Sequence, residues 1–208
     1  MLAWREALEA LDIELAVWRI HRRMGMSGGL LAHALLHETG RSITGEQAIE
    51  LQQLHAAAYI RQIGRVRPLP GARELLVHLR RIGVPFAIAT SGKPESAGPA
   101  LTLLGGDAGE TVITREQVPH AKPDPDLFLA AADALSVPIE SCWVIGDSVW
   151  DLLAAQRARA LGVGVLSGGY GRNELEQAGA YRVYDDPADL LRHLDEIGIR
   201  QSYRRGKL

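Results

Sequence analysis

The spacing of apolar positions divides the chain into two parts. In the first part, apolar residues recur at the three- and four-residue intervals of amphipathic helices, as Trp4, Leu8 and Leu11 do. The segment Thr44–Gln47 matches a capping box, which is typical of a helix start. We therefore predict a small helical domain over residues 1–63. Its helices are expected near the N-terminus, over 14–24, between Ser27 and Gly40, and after Thr44.

The second part alternates short apolar runs with helical patterns. Apolar strands that alternate with helices are typical of a parallel sheet covered by helices on both faces. We therefore predict an α/β fold with a Rossmann-like parallel sheet over residues 64–199, followed by a polar tail over 200–208. The expected strands are 86–89, 111–113, 142–146, 162–166 and 181–184. The expected helices are 72–81, 95–104, 125–135, 149–160 and 187–196, the third of them capped by Asp124.

Composition and charge narrow the class of protein. Apolar residues make up 47% and charged residues 23% of the 208 residues, the balance of an ordinary globular protein. The formal net charge of −2 gives no electrostatic basis for binding nucleic acid or a membrane surface. No apolar run approaches the roughly 20 residues of a membrane span. Because Cys142 is the only cysteine, an internal disulfide is excluded and a reducing compartment, the cytoplasm, is expected.

Polar residues follow the first predicted strand, at an end where open parallel sheets bind ligands. Thr90 and Ser91 carry hydroxyl groups, and Gly92 allows a ligand to approach the backbone closely. A hydroxyl and successive backbone N–H groups can hold a phosphate oxygen. The same residues are also typical of a cap on the next turn. We predict a phosphate-binding loop at Thr90, Ser91 and Gly92.

Lys122 precedes the helix predicted over 125–135. A lysine in this place can direct its ammonium to an anion, beside the positive end of the helix dipole. The alternative is an exposed loop lysine, the usual environment of this residue type. We predict that Lys122 binds the same anion as the loop after the first strand.

Two carboxylates follow the strand predicted over 142–146. Asp147 and Asp151 are four positions apart, so both can lie on one side of the turn that opens the next helix. Converging carboxylates suit a hard cation such as Mg²⁺. They can also serve only as a helix cap and a favourable acid of the first turn. We predict Asp147 and Asp151 as metal ligands.

In this order, the three segments resemble three of the four motifs of the haloacid dehalogenase superfamily. The likeness covers roughly residues 65–197, and the helical residues 1–63 resemble the helical cap of that superfamily. Residues 18–25 are similar to the cap segment that faces the substrate in phosphoglycolate phosphatase-like members. The segments that resemble the motifs are 87–92, 122–126 and 146–151.

The resemblance implies a Mg²⁺-dependent phosphatase that acts on a small phosphorylated metabolite, with phosphoglycolate-like compounds favoured. An aspartate at the end of the central first strand would attack phosphorus and form an aspartyl-phosphate, and a second aspartate would act as acid and base. Thr90 or Ser91 would hold the phosphate, and Lys122 would steady the nucleophile and the phosphate. Asp147 would bind Mg²⁺ with the help of Asp151. Arg23, in the cap segment, would meet the anionic substrate.

The chain departs from the resemblance at the first motif, Asp-x-Asp-Gly-Thr, which is absent. Asp12, the only aspartate of the helical part, lies between predicted helices and has no Gly-Thr after it. The family places this motif on a central strand, between the strands predicted over 86–89 and 142–146. We therefore expect the chain as written to be inactive, and to be poorly folded, to adjust its sheet or to be prone to aggregate. Met1 is expected to lie inside a longer reading frame, and a genuine truncated pseudoenzyme is the alternative.

Three other functions stay open on the sequence. The chain can be a catalytically inactive protein that binds phosphate and Mg²⁺ or has a regulatory role. It can be a sugar phosphomutase, which shares the aspartyl-phosphate chemistry. A metal-independent haloacid dehalogenase is disfavoured, because the pair Asp147 and Asp151 favours a cation.

Overall fold

The first part of the chain is helical, as the spacing of its apolar residues predicts. The computed structural model describes residues 1–40, 44–105 and 110–200. The capping box is confirmed, since Thr44 Oγ1 accepts a hydrogen bond from the N–H of Gln47 over 3.2 Å. The helices are α1 (Leu2–Glu9), α2 (Val17–His21), α3 (Gly28–His37) and α4 (Gly45–Gln62).

These helices bury a hydrophobic cluster of their own, in which Leu8 and Leu51 are fully buried. Helix α2 is shorter than the helix predicted over 14–24. After α2 the backbone turns towards the second part of the chain, where Gly25 has a φ of +97°. A Cβ at Gly25 would lie 2.3 Å from Ser148 Oγ. The backbone at Gly25, four residues after α2 ends, therefore packs closely against the second part of the chain.

The second part is an α/β fold, as predicted. Each predicted strand is present, with its ends displaced by one residue at most. Helix α9 has no predicted counterpart, because its polar sequence buries only Leu175. The strands are β1 (Ala87–Ala89), β2 (Thr111–Ile113), β3 (Trp143–Gly146), β4 (Leu161–Val165) and β5 (Ala180–Tyr184). The helices are α5 (Ala72–Ile82), α6 (Pro94–Leu103), α7 (Asp126–Leu135), α8 (Val149–Ala158), α9 (Arg172–Gln177) and α10 (Pro187–Arg192).

Two predicted helix boundaries are wrong. Helix α7 begins at Asp126 without a side-chain cap, and Asp124 instead lies 3.3 Å from the guanidinium of Arg157. The helix predicted over 187–196 ends at Arg192 and continues as a 3₁₀ turn. No helix in the described ranges is long and apolar enough to cross a membrane.

The predicted domain boundaries stay predictions. A 3₁₀ turn, Ile63–Arg65, follows α4 where the division between the two parts is expected. Of the predicted tail over 200–208, residues 201–208 lie outside the described residues.

The parallel sheet lies in two halves. Strand β1 pairs with β2, and β4 pairs with both β3 and β5. No strand in the described part of the chain pairs with the second edge of β1 or of β3. Between these two edges lies an apolar cleft of about 650 Å³, termed the open groove. Its walls include Leu79, Ile88, Phe128, Val144 and Ile145.

Burial differs sharply between the strands beside the groove and the strand with two partners. In β4, residues 162–165 are buried. Strand β1 is only partly buried along its length, and Ile145 of β3 is 42% exposed. A parallel sheet is normally covered on both faces and paired on its inner edges. The groove therefore lies where the sequence predicts a missing central strand.

Truncation of Ile145 should cost little stability. Since 42% of this residue is exposed, Ile145→Ala should lower the free energy of unfolding by less than about 1 kcal/mol. Leu152→Ala is the control at a fully buried position of α8, and it should cost about 2–5 kcal/mol. Urea unfolding of both variants measures the difference. Equal losses would mean that the groove is closed in solution.

Candidate active site at the carboxyl ends of β1 and β3

The structure brings the predicted site residues of the sheet together. Thr90 and Ser91 follow β1, Lys122 lies in the loop before α7, and Asp147 follows β3. Thr90, Ser91 and Lys122 line one cavity between the helices and the sheet. Lys122 also contacts Asp151 of α8. Both edges of the open groove therefore end at this cluster.

A buried ion pair joins Lys122 to Asp151. The ammonium Nζ lies 2.8 Å from Asp151 Oδ1, and the two residues are 8% and 7% exposed. The second carboxylate oxygen, Oδ2, accepts hydrogen bonds from the Ser148 hydroxyl (2.6 Å) and the Ser148 N–H (3.1 Å). Glycine is needed at position 146, because a Cβ there would lie 2.3 Å from Asp151 Cβ. With both oxygens engaged, Asp151 holds the Lys122 ammonium in place.

Asp147 forms no ion pair with any described residue. Burial raises the pKa of this carboxyl, the charge of Asp151 raises it further, and the charge of Lys122 opposes the shift. The loop after β4 packs against the same residue, since a Cβ at Gly168 would lie 2.0 Å from the Asp147 carbonyl oxygen. In that loop, Ser167 Oγ is buried without a hydrogen-bond partner in the described part of the chain. A bound cation would offset the free-energy cost of burying the Asp147 carboxylate beside the Asp151 carboxylate.

The donors at Asp147 suit Mg²⁺ rather than a softer metal. Mg²⁺ takes oxygen ligands, and proteins commonly bind it through one or two carboxylates, with phosphate and water as the remaining ligands. The described residues contain no group of three or more His, Cys, Asp or Glu side chains that could hold a metal ion. Asp147 would be the direct ligand, because both oxygens of Asp151 already have partners.

The loop after β1 has the form of an anion cradle. The N–H of Thr90 donates to the carbonyl of Ile113 over 2.9 Å, which ties the loop to β2. The N–H of Gly92 donates to Thr90 Oγ1 over 3.0 Å, so the Thr90 hydroxyl proton remains available. Ser91 Oγ is buried and has no hydrogen-bond partner among the described residues. A buried hydroxyl without a partner is costly, and a phosphate oxygen would satisfy it.

The cavity beside this loop measures about 890 Å³ and is termed the central cavity. It separates the helical part from the sheet, and each part supplies one wall. The polar side chains of the helical wall are Ser27, His33, Gln52, Gln53 and His55. The polar side chains of the sheet wall are Thr90, Ser91, Lys93, Ser96, Arg115, Glu116 and Lys122.

Arg23, predicted to meet the substrate, is placed elsewhere. Its guanidinium donates to Glu38 Oε1 from Nε (3.0 Å) and from an Nη (2.8 Å), and it does not line the central cavity. The neighbouring carbonyl of Arg22 accepts hydrogen bonds from Trp150 Nε1 (3.1 Å) and the Tyr170 hydroxyl (3.0 Å). His21 Nε2 lies 2.6 Å from the Gly168 carbonyl oxygen. This segment docks the helices onto the sheet.

Comparison with known families decides the classification. A family model described as haloacid dehalogenase-like hydrolase matches residues 2–159, more than half of the chain. The chain belongs to the haloacid dehalogenase-like hydrolases.

Curated relatives of this hydrolase include two phosphatases. The chain is 37% identical over 93 residues to hexitol phosphatase A of Escherichia coli (strain K12), which is 45% of this chain and 43% of that protein. It is 37% identical over 125 residues to a phosphoglycolate phosphatase of Rhodospirillum rubrum, which is 58% of this chain and 50% of that protein. The chain therefore spans about half the length of these curated relatives.

Solved structures support the same classification. A hydrolase from Pseudomonas syringae is 55% identical, with a TM-score of 0.91 and coverage of 94% of this chain and 90% of that chain. A β-phosphoglucomutase from Clostridium difficile has a TM-score of 0.80 at 22% identity, and the match covers 94% of this chain and 87% of that chain. The second likeness shows a shared fold.

In this haloacid dehalogenase-like hydrolase, the sequence predicts Thr90, Ser91, Gly92 and Lys122 of the sheet wall. It misses the other polar residues of that wall and all of the helical wall. Gln52 and Gln53 belong to no motif. The apolar spacing of α4 marks only its buried face, at Ala48, Leu51 and Ala58. No signal within a single sequence states which exposed residues of α4 face the sheet.

Asp147→Asn should stabilise the hydrolase at neutral pH in the absence of divalent cations. The folded-state pKa of Asp147 is raised above 3.8. The ionised carboxylate therefore lowers stability, and this loss develops as pH rises from 3.8 through the raised pKa. Urea unfolding across the acidic to neutral range measures the difference between variant and wild type.

The matched control is Asp133→Asn, which neutralises an exposed carboxylate on α7. It should leave the pH profile of stability unchanged. Added Mg²⁺ should stabilise the wild type and not Asp147→Asn. A variant less stable than the wild type at neutral pH without Mg²⁺ would contradict the environment assigned to Asp147.

Proposed function

We propose that this protein is a Mg²⁺-dependent phosphomonoester hydrolase that forms an aspartyl-phosphate. Its substrate is a small phosphorylated metabolite in the cytoplasm, with neither nucleic acid nor a membrane as partner. The observation that carries the proposal is a convergence at one end of the open groove. There a buried Lys122 ammonium, a Ser91 hydroxyl without a partner and an Asp147 carboxylate without an ion pair lie together. Family membership and relatives named as phosphatases support it.

The sheet wall binds the phosphate. The Thr90 and Ser91 hydroxyls donate to phosphate oxygens, and the Lys122 ammonium contributes a charge-assisted hydrogen bond. The ion pair with Asp151 holds the Lys122 ammonium in position. Lys122 therefore needs little reorganisation when the charge on the phosphoryl group changes. These groups orient the phosphorus towards the mouth of the open groove.

Asp147 holds the metal ion at the other side of the same mouth. When bound, Mg²⁺ neutralises charge on the transferring phosphoryl group. Asp151 supports the site through Lys122 and Ser148. This division of roles keeps one carboxylate for the cation and one for the ammonium.

The nucleophile is supplied by a parallel β-strand that occupies the open groove. The groove offers two unpaired strand edges and apolar walls, which suit an apolar strand parallel to β1 and β3. The carboxyl end of such a strand would lie beside Lys122. An aspartate there attacks phosphorus and expels the alcohol, which takes a proton from the aspartate two residues later. Water then hydrolyses the aspartyl-phosphate.

A second candidate function has support of its own. Asp12 lies in the turn after α1 with a φ of +54° and does not line the central cavity. Of the described aspartates, Asp147 and Asp151 are the two at the site. Asp151 is held by Lys122 and Ser148, and Asp147 is assigned to the metal ion. Residues 1–208 alone would then bind phosphate and Mg²⁺ without turnover.

Aryl phosphate hydrolysis with Mg²⁺ separates these functions. The 208-residue chain should show no turnover above background. A chain extended at its N-terminus by an apolar strand that ends in Asp-x-Asp-Gly-Thr should reach about 1 s⁻¹ or more. In that extended chain, Asp147→Asn should reduce kcat at least about 100-fold, since it removes a metal ligand.

The control for the extension carries asparagine in place of its first aspartate and should be inactive. Hydrolysis by the 208-residue chain at ordinary enzyme rates would contradict the role of the groove. Undiminished activity after Asp147→Asn would contradict the metal site.

A further inference from the structure

Positive charge is distributed unevenly around the central cavity. Lys93, Arg115 and Lys122 all lie on the sheet wall, beside the proposed phosphate site. The helical wall contains no lysine or arginine among the described residues that line the cavity. An anionic group is therefore neutralised at the sheet, and the far end of a ligand meets a wall that has no lysine or arginine side chain among its described residues.

Three arginines of the helical part, Arg19, Arg22 and Arg23, form ion pairs and do not line this wall. Arg19 and Arg23 both contact Glu38, and Arg22 pairs with Glu174. On the sheet wall, Arg115 donates to the carbonyls of Val118 and Pro119 over 2.6 and 3.2 Å. A carboxylate at the far end of a ligand would therefore find no lysine or arginine partner among the described residues of the helical wall.

The helical wall instead offers neutral groups that both donate and accept hydrogen bonds. Gln52 and Gln53 present amides from α4. The His55 ring stacks on Trp4 at 3.9 Å between centroids, and burial lowers its pKa to about 4, so the imidazole is neutral at neutral pH. Amide and neutral imidazole groups match the mixed donor and acceptor character of hydroxyl groups.

The volume of the central cavity also favours a hydroxyl-bearing ligand that is longer than a two-carbon acid. Its volume of about 890 Å³ is near the upper end of ordinary small-molecule sites, which span about 300–1,000 Å³. A two-carbon acid phosphate would fill only a small part of this space. Gln52 Nε2 donates to the Ala48 carbonyl over 3.1 Å, so Gln52 Oε1 and the exposed Gln53 amide are the α4 groups offered to a longer ligand. A longer chain of hydroxyl-bearing carbons would reach from the phosphate loop to α4.

We propose that the group esterified to the phosphate is an uncharged, hydroxyl-bearing chain or ring, a polyol or sugar, and that Gln52 and Gln53 select it against a second anion. The proposal rests on the phosphatase function proposed above and names its substrate class. It differs from the phosphoglycolate-like substrate that the sequence favours.

Equilibrium binding tests the proposal without requiring turnover. The full 208-residue chain with Mg²⁺ is titrated by calorimetry with orthophosphate, sorbitol 6-phosphate and 2-phosphoglycolate. Sorbitol 6-phosphate should bind at least about tenfold more tightly than 2-phosphoglycolate, the difference expected when one ligand leaves a charge unpaired. The affinity for orthophosphate measures binding at the phosphate site alone and is the reference for both esters.

A variant that adds a positive charge to the helical wall provides a second test. Gln53 is exposed on the helical wall, so Gln53→Arg should be tolerated by the fold and should shift the preference towards 2-phosphoglycolate by about tenfold. Glu50→Gln changes the net charge by the same amount on α4 outside the cavity, and it should leave the ratio unchanged.

The outcomes are distinct. If orthophosphate does not bind, the phosphate site and the proposed function fail together with this inference. If orthophosphate binds and 2-phosphoglycolate binds as tightly as sorbitol 6-phosphate, the inference alone is overturned. It is also overturned if sorbitol 6-phosphate binds no more tightly than orthophosphate, or if Gln53→Arg leaves the ratio of the two esters unchanged.

Discussion

The site depends on the buried ion pair between Lys122 and Asp151. Lys122 belongs to the half of the sheet formed by β1 and β2, and Asp151 follows β3 in the other half. The pair therefore links the two halves across the carboxyl end of the open groove. Removing two charges from water is costly, and only close contact and further hydrogen bonds offset that cost. Ser148 supplies the further bonds, so Asp151 has a partner for each oxygen.

The open groove explains why a cavity rich in polar groups lies beside an apolar one. Strands β1 and β3 direct Thr90 and Asp147 to the same end of the sheet, while their facing edges leave an apolar cleft. The polar end already holds the Lys122 ammonium, which suits an anion, and the Asp147 carboxylate, which suits a cation. A strand in the cleft would complete the backbone pairing and bring a further carboxylate to that end. Folding and catalysis would then depend on the same segment.

The sequence was sufficient for the strands and for part of the sheet wall of the site. Residues 111–113 form a strand as predicted, and the predicted residues Thr90, Ser91 and Lys122 line one cavity. The partner of Lys122 was not predictable, because Asp151 lies 29 positions away. The helical wall was also missed, since the exposed face of a helix carries no periodic signal. The close approach of Gly25 to Ser148 after the end of α2 was not predictable either, because it exists only in the folded chain.

A double-mutant cycle on the ion pair tests this account most directly. Lys122→Met, Asp151→Asn and the double variant are compared with the wild type by urea unfolding. We expect each single variant to lose about 3–5 kcal/mol and the double variant to lose little more than either one, a coupling of about 3 kcal/mol. Losses below about 1 kcal/mol that add in the double variant would show that the pair does not link the two halves of the sheet.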